Sequence, residues 1–252
     1  VSPGAVPAVL VFAGLDPSGG AGLAADVLAI AAQGAHALPV ATALTVQDNN
    51  RVHAVQAVDA GFVLAQAQAL IDTVEIHAVK LGIPGSRANA RAIAGLLRAL
   101  RARDPQLPIV LDPVLASGHG DALAEDDPVA IVNELLPLAT IALPNEPEAC
   151  AVGNFPCAHL LLTGGHGEGS VVENRWYTHG QLVRRWRWAR LPGAFHGSGC
   201  TLAASLAGRL AHGETMAAAL GAAQAYCHDA LARAFAIAPG QRIPRRFLLP
   251  IV

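Results

Sequence analysis

The sequence predicts an α/β protein, a layered αβα sandwich with a central, mostly parallel sheet and a small antiparallel β meander. Short apolar runs alternate with stretches of helical period, which is how a parallel sheet covered by helices reads. The runs end in loops rich in Gly, Asp, Asn and Ser, and no Pro- or Ser-rich linker, repeat or low-complexity tract divides the chain. One domain over residues 1–252 is therefore expected.

Residues 8–13 read as a first strand, followed by a Gly-rich turn. Leu23, Val27, Ile30 and Ala31 then fall on one face of a helix. The alternation continues with a strand at 37–44, a helix at 62–71, a strand at 78–81 and a helix at 87–103 that puts Ile93, Leu96, Leu97 and Leu100 on one side. Residues 109–111, 141–143 and 159–162 are three further short strands, and 170–187 alternate like an antiparallel meander. The stretch 201–235 predicts two Ala-rich helices broken near His212 and Gly213.

Composition excludes several classes. Seventeen Lys plus Arg against 19 Asp plus Glu give a net charge of −2, which argues against a nucleic-acid partner. Mean hydropathy is +0.40, yet no run approaches the roughly 18 apolar residues of a membrane span, so no membrane partner is expected. Residues 1–14 lack the basic start and the cleavage site of a signal peptide. Cys150, Cys157, Cys200 and Cys227 form no CxxC pair and no zinc-like spacing with His, so a reducing cytoplasm is expected.

Ligands of open parallel sheets sit beyond the carboxyl ends of the strands, so the loops there carry the functional signal. In the first, residues 14–22, glycines let backbone N–H groups approach a ligand, or merely make a tight turn. Its spacing is neither the dinucleotide fingerprint nor a Walker A loop, which disfavours an NAD-dependent dehydrogenase. In the second, 45–50, the Gln47 amide offers a donor and an acceptor side by side, matching a heteroaromatic edge. In the third, Asp112 ends a strand before Pro113, suiting a hydrated Mg²⁺ or a nucleophile's proton, or merely capping the turn that follows. His119 in the same loop reads as solvated. In the fourth, Asn145 and Glu148 share one side of a helix start, either as cap and dipole partner or orienting a metal's water shell. In the fifth, Gly197, Ser198 and Gly199 open a long helix whose N–H groups form an anion hole, with Cys200 in the first turn, where its thiol pKa is expected below about 8.5.

Taken in order, the loops resemble the hydroxymethylpyrimidine and hydroxymethylpyrimidine-phosphate kinases of thiamine biosynthesis, within the ribokinase-like superfamily. The resemblance is carried by A-G-x-D-P-S-G-G-A-G-x-x-A-D at 13–26, T-A-L-x-x-Q at 42–47, K-x-G at 80–82, D-P-V at 112–114, N-x-x-E at 145–148, G-G-H at 164–166 and H-G-S-G-C at 196–200. It implies a ribokinase-like kinase that uses ATP and Mg²⁺ on a small pyrimidine. By resemblance, Gln47 holds the aminopyrimidine, and Gly14, Asp16, Ala21, Thr45, Ile83 and Val114 line its pocket. Asp112 and Glu148 order Mg²⁺, and Asn145, Thr163, Gly164 and Gly165 lie at the nucleotide. Gly197, Ser198 and Gly199 form the anion hole, and Cys200 stands where sugar kinases of the superfamily place an Asp base.

Two lysines usual in the family are replaced, by Ser117 and by Thr163, which removes positive charge from the phosphate region. A pocket Met usual in the family is Ile83. The competing readings are a pyridoxal or pyridoxine kinase of the same superfamily, against which Gln47 argues, and a non-catalytic pyrimidine sensor. A homodimer is expected from the 53% hydrophobic content.

Overall fold

A single nine-stranded sheet runs in the order β3-β2-β1-β4-β5-β6-β7-β8-β9 in a computed structural model that describes residues 6–124 and 126–247. The strands are β1 (Ala8–Leu15), β2 (His36–Gln47), β3 (Val52–Ala57), β4 (Ile76–Leu81), β5 (Ile109–Leu111), β6 (Ile141–Ala142), β7 (His159–Leu162), β8 (Val171–Thr178) and β9 (Gln181–Ala189). From β2 through β1, β4, β5 and β6 to β7 the neighbours are parallel. β3, β8 and β9 add antiparallel partners at the two ends.

The helices are α1 (Gly22–Ala31), α2 (Ala60–Ile71), α3 (Arg87–Arg103), α4 (Pro128–Leu135), α5 (Glu146–Val152), α6 (Ser198–Ala211) and α7 (Met216–Ala232). Successive strand residues point to opposite faces, and β1 shows what that produces. Val9, Val11 and Ala13 join a core with α1, α6 and α7, whereas Leu10 and Phe12 join a second core with α2, α3 and α4. The three-layer αβα sandwich follows from this division. Caps set the helix starts: Asp59, Ser86 and Asp127 accept from the N–H groups of Phe62, Asn89 and Val129.

The expected antiparallel meander is present as β7–β8–β9 and prolongs the main sheet. Three elements differ from the sequence reading. Strand β3 was missed because it lies at a sheet edge with no buried residue, leaving no apolar alternation to read. Helix α4 was missed because only Ile131, Val132 and Leu135 of its eight residues are buried. Helix α6 begins at Ser198 rather than 201, so the Gly-rich turn runs straight into it.

The strand order reverses around β1, whose neighbours are β2 and β4. The loops after β1 and β4 diverge there and open a crevice. After α7 the chain returns as a strap along the same end. Asn49 donates to the carbonyls of Pro239 and Gln241, Gln241 bonds His119, and Phe195 and Phe235 form bridges with Arg242 and Ile243.

Candidate active site

The loops beyond the strand ends enclose a cleft of about 550 Å³. It brings together Gly14, Asp16, Ala21, Thr45, Gln47, Ile83, Asp112, Val114, Asn145, Glu148, Thr163, Gly165 and residues 197–200. Gly164 is the exception. It packs beside β8, where a Cβ would stand 2.3 Å from the Glu173 carbonyl oxygen, and its N–H donates to Asn174.

At one end, Gln47 is the last residue of β2, past its parallel pairing with β1 and opposite Val52 of β3, and its side-chain amide bonds no protein group among the described residues. Thr45 donates to the Leu15 carbonyl, joining β2 to the end of β1. Gly14 lies against Ile83, whose Cδ1 would be 2.7 Å from an added Cβ, so a larger residue there would displace the Ile83 side chain. Asp16, expected among substrate contacts, lines the cleft and also staples its own loop. Its carboxylate accepts from Ser18 and Ala21 N–H and faces His196 Nε2 at 2.8 Å. Burial works against that charge, but the bonds from His196, Ser18 and Ala21 outweigh it and hold the carboxyl at about 2.

The centre of the cleft is charged and dry. Lys80, the single lysine of the chain, is fully buried and pairs with Asp26 at 2.8 Å. Burial opposes the ammonium, yet Asp26 beside it keeps it charged. Asp112 is buried next to this pair, and its Oδ2 has no hydrogen-bond partner among the described residues. Burial lifts its pKa, against the pull of Lys80 and a bond with Cys200. Gly199 faces Asp112, and a Cβ there would lie in ordinary contact, 3.5 Å from Asp112 Oδ1.

Gly197, with φ of 76°, is the N-cap of α6, which has no side-chain cap. Its first-turn N–H groups are left for a ligand anion. Cys200 sits in that turn as expected, but its thiol does not have a lowered pKa. Burial pushes it up to about 12, and the charges of Asp112 and Asp26 oppose the ammonium of Lys80. The dipole and lysine do not compensate for lost water, so the thiol is neutral at pH 7.

Asn145 and Glu148 form a reciprocal capping box: Asn145 Oδ1 accepts from Glu148 N–H, and Glu148 Oε2 accepts from Asn145 N–H. Both also line the cleft. Burial and then the charge of Asp112 raise Glu148 to about 7. Two acids thus share the middle of the cleft.

Several residues at the far end escaped the sequence reading. Arg190, just past β9, donates to the carbonyls of Gly165 and Gly169 and fixes the loop after β7. It brings a cation to the loop where Thr163 replaces a lysine. Trp188 stacks on His228 at 5.2 Å and donates to Gln224, which also accepts from Asn174. Trp188 and Arg190 lie just past the 170–187 meander and carry no motif in the sequence. Lys80 did leave a signal, a charge inside an otherwise apolar strand.

The arrangement can hold a flat polar ring at Gln47, an anionic group at α6 and a second flat ring beside Trp188, with acids between them. The sequence matches the phosphomethylpyrimidine kinase family over residues 16–157 and 151–244. A hydroxymethylpyrimidine/phosphomethylpyrimidine kinase of Rhizobium meliloti is 35% identical, the alignment covering 92% of this chain and 93% of that protein. One of Streptomyces coelicolor is also 35% identical, over 93% and 92%. Among solved structures, Bacillus subtilis pyridoxal kinase, bound to ADP, superposes with a TM-score of 0.84 at 22% identity, covering 96% of this chain and 98% of that one. Phosphomethylpyrimidine kinase from Clostridium difficile gives 0.71 at 25% identity, over 88% and 98%. The pyridoxal kinase likeness is one of fold, the ribokinase-like sandwich, whereas sequence similarity along nearly the whole length singles out the pyrimidine enzymes. The chain belongs to the phosphomethylpyrimidine kinase family.

Proposed function

We propose that this chain is a single-domain kinase, residues 1–252, acting in thiamine biosynthesis. It transfers the γ-phosphoryl group of ATP to the hydroxymethyl group of 4-amino-5-hydroxymethyl-2-methylpyrimidine, and then phosphorylates the monophosphate. The observation that carries this reading is one continuous cleft joining Gln47, the uncapped start of α6 and the aromatic end at Trp188.

Gln47 pairs with the aminopyrimidine edge between Gly14, Ala21, Thr45, Ile83 and Val114, with Asp16 holding the loop that covers it. Asn145, Thr163, Gly165 and Arg190 lie along the nucleotide phosphates, with Gly164 holding the loop from behind. Mg²⁺ fits between Asp112 and Glu148, where a buried carboxylate oxygen lacks a partner and one acid raises the other's pKa. Asp112 and Glu148 would hold the ion with water and phosphate oxygens in its remaining positions. When bound, the ion neutralises phosphate charge. The N–H groups of residues 197–200 stabilise the charge on the transferring phosphoryl group, and Asp112 accepts the hydroxyl proton as the bond forms. Cys200 packs against the alcohol as a neutral thiol.

No described helix is long and apolar enough to cross a membrane. All four cysteines are free, which supports a reducing cytoplasm. The exposed apolar side chains of Leu15, Leu44 and Val46 support a homodimer.

A coupled assay with the hydroxymethylpyrimidine, its phosphate and pyridoxal tests the reading. Turnover of the two pyrimidines is expected, and turnover of pyridoxal alone would replace the assignment. Gln47→Ala is expected to raise the pyrimidine KM by about 5- to 150-fold, the equivalent of roughly 1–3 kcal/mol for an edge left unpaired. An unchanged KM would place the ring elsewhere.

Cys200 supplies a pH test. With its thiol near 12, the thiolate is a negligible fraction from pH 6 to 9. Wild-type and Cys200→Ala kcat profiles are therefore expected to run parallel over that range, offset by loss of packing. A rising wild-type limb absent from the variant would make Cys200 the base.

A further inference from the structure

The segment after α7 carries a buried guanidinium into the back wall of the cleft. Arg246 is 2% exposed and lies past the last residue matched to the family, 244. Its hydrogen-bond partners are all neutral. Nη2 donates to the Gly20 carbonyl at 2.6 Å and to the Gly197 carbonyl at 3.3 Å, Nε donates to Thr201 Oγ1 at 2.9 Å, and Nη1 reaches the Gly19 carbonyl at 3.5 Å. It forms no ion pair among the described residues. Tyr226 anchors it from below by donating to its own carbonyl.

Thus one side chain grips the first loop and the start of α6 together. In a trans peptide the C=O and N–H point opposite ways. The Gly197 carbonyl accepts from Thr201 N–H at 3.0 Å, from Thr201 Oγ1 at 2.7 Å and from Arg246, which also holds that hydroxyl, so Arg246 secures the group that turns the Ser198 N–H away from it, and Ser198 lines the cleft. Holding the Gly20 carbonyl turns the Ala21 N–H onto Asp16, which it meets at 2.8 Å. The guanidinium also places a fixed positive charge behind the positive end of α6.

We propose that Arg246 is a positioning residue for phosphoryl transfer, clamping the Gly20 and Gly197 carbonyls so that the anion hole of α6 is preformed and positively biased. The proposal rests on the kinase reading above. A planar fork is needed to reach two carbonyls and a hydroxyl at once, which an ammonium cannot do. A buried guanidinium with no carboxylate in contact among the described residues, Asp26 acting on it only at longer range, fits a group kept for its geometry and field.

The test compares wild type, Arg246→Ala and Arg246→Lys for kcat, for KM of both substrates, and for folding by circular dichroism. Arg246→Ala is expected to lower kcat at least 30-fold with each KM changed less than threefold. Guanidinium ion at non-denaturing concentration should restore at least fivefold, while urea, of the same shape but neutral, should not. Arg246→Lys should fold and lose at least tenfold in kcat. A folded Ala variant with wild-type kcat, no guanidinium rescue, equal rescue by urea, or a Lys variant with full kcat would each overturn the proposal. If Ala does not fold, the Lys variant decides alone. A wild-type enzyme without kinase activity would instead overturn the functional reading.

Discussion

Asp112→Asn is expected to lower kcat by about two to four orders of magnitude, the usual scale for a positioned base or a charge-stabilising group. The carboxylate is buried at the end of β5 with Oδ2 unpartnered and lies between Lys80 and the start of α6, where an alcohol and a phosphoryl group would meet. An amide keeps the shape and removes both the charge and the proton acceptor. Because burial already disfavours the charge, Asn should leave Tm unchanged or raise it. Steady-state kinetics beside a melting curve separates the cases: kcat within threefold of wild type removes Asp112 from the chemistry, and a lowered Tm would make it a structural acid.

Gly197→Ala is expected to be comparably severe for a different reason. Gly197 has φ of 76°, and a Cβ would stand 2.0 Å from the Gly20 carbonyl oxygen, a backbone atom that cannot swing aside. The left-handed conformation alone costs about 1–2 kcal/mol for a residue with a Cβ, roughly 2–8 °C in Tm for a chain of this size. The clash adds to this by parting the first loop from α6, and loss of an anion-hole donor costs about 10²–10³ in kcat. Gly213 provides the control. Its φ is 78° with nothing near an added Cβ, so Gly213→Ala should show the strain and keep kcat. Similar kcat in both variants would show that the close contact at Gly197 is not needed for turnover.

The parts legible in the sequence are those whose physics is local. The 87–103 helix coincides with α3 because Ser86 caps it and Ile93, Leu97 and Leu100 repeat on one buried face. The loop order located the cleft, since residues at strand ends are fixed in direction by the strands before them. The illegible parts depend on burial or on distant chain. Cys200 stands in the first turn of α6, where local rules lower a thiol pKa, but α6 packs against the sheet and the desolvation that results is invisible in the motif. Asp16 reads as a ligand group because nothing nearby reveals His196, 180 residues away, as its partner. Strand β3 has no buried side to leave a period. Arg190 supplies a cation to the loop after β7 from beyond β9, so a reading by position finds only Thr163.

The strap after α7 also sets an order of events in folding. Its bonds to the cleft close very long loops: Asn49 to Gln241 spans 192 residues, and Arg246 to Gly20 spans 226. Contacts of such separation form late, because their loop-closure entropy is offset only once the intervening chain is compact. The two cores on either side of β1 draw on residues that precede the strap, so they can assemble while the cleft is unfinished. Catalytic competence is therefore a late acquisition of this chain, reached after most of its secondary structure is in place. An arrested or prematurely ended chain can be well packed and still inert.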